Sequence, residues 1–306
     1  MGNLLVRWAV HVGITLLLPP LLLGVVTKVK ALFAGRVGPP VLQPYYDLAK
    51  LARKDSVFST TTTWVFRAGP VVALTSVLVA SLLVPFGGVD APVAFAGDLI
   101  LFVYLFGLAR FFTITAALDT GSAFEGMGAA REATFSCMAE PALLLSLLVL
   151  VKRTSTTSLT GMLGSALAAQ WSAVGAALVL VVASLLVVVL AENCRIPFDD
   201  PNTHLELTMI HEVMVLDHSG PALGMISYGA ALKLFVLGAI VVGIVLPLHT
   251  GSAVLDLAVF VAGMLVLSVV IGTVESTMAR LRLRHVPSLL IGACLLSGFA
   301  VLLAAR

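Results

Sequence analysis

Long apolar stretches alternate with short polar connections along the whole chain. A transmembrane helix needs roughly 20 apolar residues, and eight stretches meet or nearly meet this length. They lie at 4–26, 65–86, 98–118, 134–151, 172–191, 222–247, 253–274 and 286–305. The fourth stretch is the least regular, because Glu140 and Pro141 interrupt its start. The pattern predicts an all-α, polytopic membrane protein with about eight transmembrane helices in a single domain, 1–306.

The polar connections differ in length and charge, which predicts how the chain is oriented. The odd-numbered connections, at about 27–64, 119–134, 192–221 and 275–286, carry most of the basic residues outside the spans. The even-numbered ones hold only Lys152 and Arg153. Since lysine and arginine favour the cytoplasmic side, we expect the odd connections to be cytoplasmic and both termini to lie on the other side. The first stretch reaches Lys28 without a small-residue cleavage site, so we expect it to be a retained helix.

Composition agrees with a membrane protein and excludes other classes. The 306 residues are 59% hydrophobic and 11% charged, with a mean hydropathy of +1.09, whereas soluble domains are about 25% charged. The net charge of +2, with no basic patch, gives no indication of nucleic-acid binding. Because Cys137, Cys194 and Cys294 are scattered, we expect this chain to bind no cofactor and no metal. No catalytic triad or phosphate-binding glycine loop is recognisable, so no catalytic residue is assigned.

The connection from residue 192 to residue 218 is the most charged part of the chain. A turn is predicted around Pro197 and Pro201, followed by a helix from Asn202 or Thr203 to about Asp217. Three histidines recur there every seven residues and would form one stripe: His204, His211 and His218. Seven-residue steps separate the rings by about 10 Å, too far for one metal ion. The stripe is interpreted as a partner-facing or titratable surface, with a solvated cap as the alternative.

Three of the charged residues inside the apolar stretches are candidate functional residues. Arg110 either extends to the interface or pairs with an acid inside the bundle. Lys233 likewise either extends to the interface or pairs with an acid, which would be Glu192 or Glu140. Glu140 is interpreted as a buried, proton-handling carboxylate, or as a residue at the water interface if its helix begins late. Gly126 and Gly128, shortly before it, indicate a bent backbone.

The first connection contains a short amphipathic segment. A Gly- and Pro-rich turn near Gly35 is followed by 45–54, where leucines lie on one side and charges on the other. The segment is interpreted either as an interfacial helix held by anionic headgroups or as a docking edge for a soluble subunit.

Two motifs resemble one known family. Glu192-x-x-Arg195-x-Pro-Phe-Asp199 resembles the signature of the subunit 1 family of respiratory complex I. The continuation, Asp-Asp-Pro-Asn-Thr-His-Leu-Glu-Leu-Thr-Met-Ile-His-Glu, is similar to the branch found in group 4 NiFe hydrogenases such as formate hydrogenlyase. A second match is Arg36-x-Gly-Pro, followed by Gln43-Pro44 and Asp47-x-x-Lys50-Leu51. The resemblance covers most of the chain and is strongest at 35–54, 119–140 and 192–220.

The resemblance implies a membrane subunit that is not catalytic by itself. Such a subunit anchors the soluble electron-transfer arm and begins an acidic path for protons. Proton-path residues are then expected to be Glu140, Glu192, Asp199, Asp200, Glu206, Glu212, Lys233 and Arg110. Docking residues are expected to be Arg36, Gln43, Asp47, Lys50, Arg195, His204 and His211. Expected partners are hydrogenase-type large and small subunits, iron–sulfur subunits, antiporter-like membrane subunits and the lipid bilayer of a prokaryotic cell membrane.

The iron–sulfur clusters and the NiFe centre are expected in those partner subunits. Two other functions remain open. One is the quinone-site subunit of a complex I-like NADH dehydrogenase, although Asp200 departs from that pattern. The other is a stand-alone ion or solute transporter, which predicts an inverted repeat and a site in the middle of the membrane.

Overall fold

The computed structural model describes residues 2–199, 209–247 and 250–305. Within these ranges the fold is all-α. The helices are α1 (Gly2–Phe33), α2 (Gln43–Ala52), α3 (Trp64–Ser81), α4 (Asp98–Asp119), α5 (Ala123–Thr154), α6 (Leu159–Met162), α7 (Ser165–Glu192), α8 (His211–Met214), α9 (Gly220–Val245), α10 (Ala253–Thr277) and α11 (Val286–Leu303). Eight helices in the described ranges are long and apolar enough to span a membrane, which confirms the predicted fold class. They are α1, α3, α4, α5, α7, α9, α10 and α11 with the turn before it.

Helix α9 lies at the centre of the bundle. About two thirds (67%) of its most apolar stretch is buried, against 44% or less in the other seven spans. Phe235 of α9 packs edge-on against both Phe86 and Phe260. Because lipid tails are as apolar as these side chains, close packing and polar contacts hold such a bundle together.

The connections separate onto two ends of the bundle. At one end Thr63 bonds to Asp119, Val57 to Ser219, and Arg280 to Asp199, which joins four connections. This is called the polar end below. At the opposite end Arg7 pairs with Asp90, and Asp98 accepts hydrogen bonds at the start of α6. The predicted odd connections therefore share one end, while the side of the membrane that it faces stays a prediction.

Helix α5 differs from the prediction, because it begins in the predicted third connection. It runs unbroken for 32 residues and includes Glu140 and Pro141. At 1.5 Å per residue it is about 48 Å long, which exceeds the roughly 30 Å hydrocarbon core. Gly126 and Gly128 are helical, so the predicted bend is wrong. Gly128 instead lets the 209–214 segment approach, since a Cβ there would lie 2.9 Å from the Ile210 carbonyl oxygen.

The long helix predicted from residue 202 or 203 to 217 is also wrong in its described part. Residues 209 and 210 are not helical, α8 covers only His211–Met214, and turns follow it. Asp199 accepts hydrogen bonds from the backbone N–H groups of Ile210 (2.8 Å) and His211 (3.3 Å), which competes with helix formation. His211 and His218 therefore do not lie on one helix, and the His218 ring stacks on Phe66. His204 lies outside the described residues.

Candidate functional site: a buried ion-pair network

Arg110 of α4 is the centre of a buried ion-pair network. Its side chain is 8% exposed and faces the bundle, where it pairs with acids. Nη1 donates a hydrogen bond to Glu140 of α5, and Nη2 donates to Glu192 of α7 at 2.5 Å. Nε lies 3.5 Å from Glu132 of α5. A planar guanidinium suits this role, because its donors point in fixed directions toward several carboxylates.

Glu192 is shared between two cations. Its second oxygen lies 2.8 Å from Nζ of Lys233 on α9, so of the possibilities left open by the sequence Lys233 pairs with Glu192. Glu192 ends α7, where the negative end of the helix dipole disfavours a carboxylate. Arg110 and Lys233 together offset that penalty. The network thus joins α4, α5, α7 and α9.

Glu140 is the member of the network that opens to the outside. Its side chain is 41% exposed although it lies near the middle of α5. Isolated carboxylates are costly inside a bilayer. Arg110 is therefore the partner of Glu140 inside the bundle, while the exposed part of the side chain opens the network to the flank of the bundle.

Two acids of the site were missed by the sequence analysis. Glu132 was placed in a connection, but the early start of α5 brings it into the bundle. Glu275 lies at the end of α10, where it is fully buried between Lys30 (2.8 Å) and Arg195 (3.3 Å). The position of Glu275 near the end of a span gave no signal that would separate it from the charges of the next connection. Arg195, expected at a docking surface, points into the protein instead.

Asp199 of the signature motif holds one end of the charged connection. Its side chain is 1% exposed and pairs with Arg280 at 2.6 Å. Arg131 of α5 donates to the Met209 carbonyl at 2.7 Å. At the other end of the connection, buried Glu125 accepts from the Asp217 backbone N–H at 3.2 Å. The described ends of this connection are therefore fixed to α5 and to the segment before α11.

Two adjoining cavities lead from the charged connection to the network. One, of about 80 Å³, is lined by Glu192, Cys194, His211 and Lys233 among others. The other, of about 180 Å³, shares Cys194 and His211 and reaches Asp199 and Glu212. Both exceed the space that a water molecule needs, and each has a few polar groups among mostly apolar walls. Their joint lining extends from Asp199 at the polar end to Glu192.

Two of the groups that line these cavities are held neutral at physiological pH by burial. Burial lowers the pKa of His211, and the nearby Glu212 raises it in part. Burial also raises the pKa of the Cys194 thiol, and the charge of Glu132 adds to this effect. A neutral imidazole both donates and accepts a hydrogen bond, so His211 is suited to pass a proton between waters.

The expected docking residues of the first connection lie at the surface of the polar end. Arg36, Asp47 and Lys50 are exposed, and Gln43 is half-buried and donates to Asp47 at 2.9 Å. The predicted amphipathic segment forms α2, two residues earlier than expected. The predicted path residues Asp200 and Glu206 lie outside the described residues.

Similarity to known proteins identifies the family of the chain. A model of the NADH dehydrogenase family matches residues 6–305. The chain is 34% identical to formate hydrogenlyase subunit 4 of Escherichia coli (strain K12), covering 88% of each chain. It is 33% identical to hydrogenase-4 component C of the same organism, covering 91% of this chain and 89% of the relative. Identity to an NADH-quinone oxidoreductase subunit from Syntrophotalea carbinolica is 28%, over 79% of this chain and 74% of the relative.

A solved structure has the same fold. It is a chain of the membrane-bound sulfane sulfur reductase, an archaeal respiratory membrane complex. The TM-score is 0.84, with 20% identity over 99% of both chains. The resemblance inferred from the two motifs is thus confirmed, and the chain belongs to the NADH dehydrogenase family, the complex I subunit 1-like proteins.

Proposed function

We propose that this chain is the membrane anchor and coupling subunit of a group 4 NiFe hydrogenase-type complex. The observation that carries the proposal is the network from the cavities under the charged connection, through Glu192 and Arg110, to exposed Glu140. The two relatives with the higher identities are named as a formate hydrogenlyase subunit and a hydrogenase component, which supports the hydrogenase branch.

The proposed mechanism is electrostatic coupling. A change in the charge of an iron–sulfur cluster in a docked partner alters the potential at the polar end. The altered potential shifts protons among the groups around the cavities and then at Glu192 and Lys233. Arg110 contacts both Glu192 and Glu140, so a change in the charge of one carboxylate alters the electrostatic potential at the other. The reaction itself belongs to the partner subunits.

Two surfaces are assigned to different partners. The soluble arm docks at the polar end, on the first connection with Arg36 and Lys50 and on the charged connection. An antiporter-like membrane subunit covers the flank at Glu140, because the carboxylate that Arg110 holds there is still 41% exposed, and a polar partner surface lowers the cost of placing it in the bilayer. We place the polar end in the cytoplasm.

Purification of the complex tests the assignment. The chain is tagged at its C-terminus, extracted in mild detergent and analysed for metals and for hydrogen uptake. We expect nickel, iron and hydrogenase activity to copurify. Flavin with quinone reductase activity would favour the complex I branch, and a stable chain that elutes alone would favour a transporter.

The quinone-site alternative has less structural support. Ligand pockets for molecules of that size usually measure about 300–1,000 Å³. The cavities beside Glu192 and Asp199 measure about 80 and 180 Å³ within the described residues. These volumes suit waters better than a quinone headgroup with its isoprenoid tail.

A further inference from the structure

The network holds more carboxylates than cations. Three carboxylates, Glu132, Glu140 and Glu192, face two cations, Arg110 and Lys233. With every group ionised, the network has a net charge of −1. An unbalanced charge in a low-dielectric interior is costly, and a carboxyl group that binds a proton removes the cost.

Among the residues that the structure describes, the charged groups around the network do not supply the missing positive charge. Asp199 has Arg280 as its own partner, and Glu275 has Lys30 and Arg195. The neighbouring Cys194 and His211 are held neutral by burial. Within the described residues, a proton on one of the three carboxyl groups is what balances the network.

The contacts distinguish the three carboxyl groups. Glu192 has two cations, at 2.5 and 2.8 Å, which stabilise its ionised form. Glu140 accepts a hydrogen bond from Arg110 and is partly open to its surroundings. Glu132 is 13% exposed, and its ion-pair contact is the longest of the three, 3.5 Å from Arg110 Nε. That Nε is buried and has no hydrogen-bond partner among the described residues.

We infer that Glu132 carries the exchangeable proton of the network in the resting state. This deepens the proposed coupling role and rests on it, since it names the residue that stores a proton. On α5, Glu132 lies seven residues after Glu125 and eight before Glu140. These steps are about 10 and 12 Å along the axis. Glu132 thus lies between the charged connection, which Glu125 contacts, and the exposed flank at Glu140.

Glutamine variants of the assembled complex test the inference. A glutamine resembles a protonated glutamate in shape and charge, so E132Q imitates the resting state. We expect E132Q to assemble and to keep its melting temperature within about 2 °C of the wild type. E192Q removes the countercharge of two cations, and we expect its melting temperature to fall by about 5 °C or more.

Infrared spectroscopy in H₂O and D₂O at neutral pH provides the direct readout. We expect the wild type to show a deuterium-sensitive band of a protonated carboxyl group that E132Q lacks. D90N is the matched control, because exposed Asp90 pairs with Arg7 at the opposite end, away from the network and its cavities, and it should keep the band. A band that persists in E132Q would overturn the inference. So would an E132Q complex that fails to assemble or melts as low as E192Q.

The same preparations separate this inference from the proposed function. Loss of the band in E132Q from a complex without hydrogenase activity would support the proton on Glu132 and contradict the hydrogenase assignment. A band that persists in E132Q from a complex with full hydrogenase activity would contradict the proton on Glu132 and support the hydrogenase assignment.

Discussion

Arg110 and Lys233 stabilise the fold because carboxylates of neighbouring helices surround them. Neither could be paired from sequence alone, because hydropathy does not say which side of a helix faces the bundle. In the structure they neutralise acids from α5 and α7 that would otherwise be buried without compensation. Removing one partner of a buried ion pair commonly costs about 3–5 kcal/mol, because the remaining charge stays buried.

Lys233→Met tests this dependence. We expect the variant to lower the free energy of unfolding by about 3 kcal/mol, since Glu192 keeps only Arg110 as a partner. The melting temperature in detergent is the measurement. The matched control is Lys152→Met, at an exposed position of the opposite end. Equal melting temperatures for the two variants would contradict the ion-pair account.

His218 predicts a pH dependence of stability. Burial lowers its pKa to about 4, and the charge of Asp217 raises it in part. In the unfolded chain the pKa of a histidine is about 6.5. At a pH between about 4 and 6.5, the unfolded chain therefore binds a proton at this residue and the folded chain does not. Stability is therefore complete above pH 6.5 and falls as the pH drops toward 4. Between pH 7.5 and 5 the expected loss is about 2 kcal/mol.

The variant His218→Phe isolates this effect. Phenylalanine preserves the stack on Phe66 but cannot titrate. We expect its melting temperature to fall less between pH 7.5 and 5 than that of the wild type. His285→Phe, at an exposed histidine, should behave as the wild type does. The explanation is wrong if all three proteins lose the same stability.

At the scale of elements, close approaches fix the helices against each other. In α1, Pro19 and Pro20 lack N–H groups, which leaves the carbonyls of Thr15 and Leu16 without their usual helical donors. The hydroxyl of Tyr228 on α9 lies 3.1 and 3.2 Å from these two carbonyls and compensates for the loss. A tyrosine in an apolar helix thereby ties α1 to the central helix.

Tyr228→Phe should lower the free energy of unfolding by about 1–3 kcal/mol, because the two carbonyls then lack a donor. Tyr104→Phe is the matched control, since Tyr104 is 73% exposed on α4. Thermal unfolding of both variants measures the difference. A Tyr228→Phe protein as stable as the control would show that the carbonyls find another donor.

Gly128 fixes α8 against α5. Alanine usually stabilises a helix by about 1 kcal/mol relative to glycine. At Gly128 the added Cβ would meet the Ile210 carbonyl at 2.9 Å, whereas at Gly126 its nearest neighbour is Leu118 at 3.9 Å. We therefore expect Gly126→Ala to be neutral or stabilising. Gly128→Ala should loosen the charged connection, measured as faster proteolysis there, and equal cleavage of both variants would contradict this.

At the scale of the whole molecule, the sequence predicted the spans well and the interior poorly. Eight apolar stretches suffice for the fold, since each must form a helix to satisfy its backbone in lipid. Glu132 and Glu275 were missed because charge near the end of a span is indistinguishable from charge in a connection. The helix expected around His211 failed because the Asp199 carboxylate accepts hydrogen bonds from Ile210 and His211, whose N–H groups lie in the middle of the expected helix. That contact forms only when the chain folds and brings Asp199 next to residues 210 and 211.

The proposed role of the network is to couple the polar end to the flank at Glu140. Proton translocation by the reconstituted complex, driven by a reduced low-potential dye, tests it most directly with Glu140→Gln. We predict that this variant assembles and produces hydrogen but translocates at least about tenfold fewer protons per hydrogen. Asp90→Asn, in an exposed pair at the opposite end, should translocate normally. Normal translocation by Glu140→Gln would contradict the account.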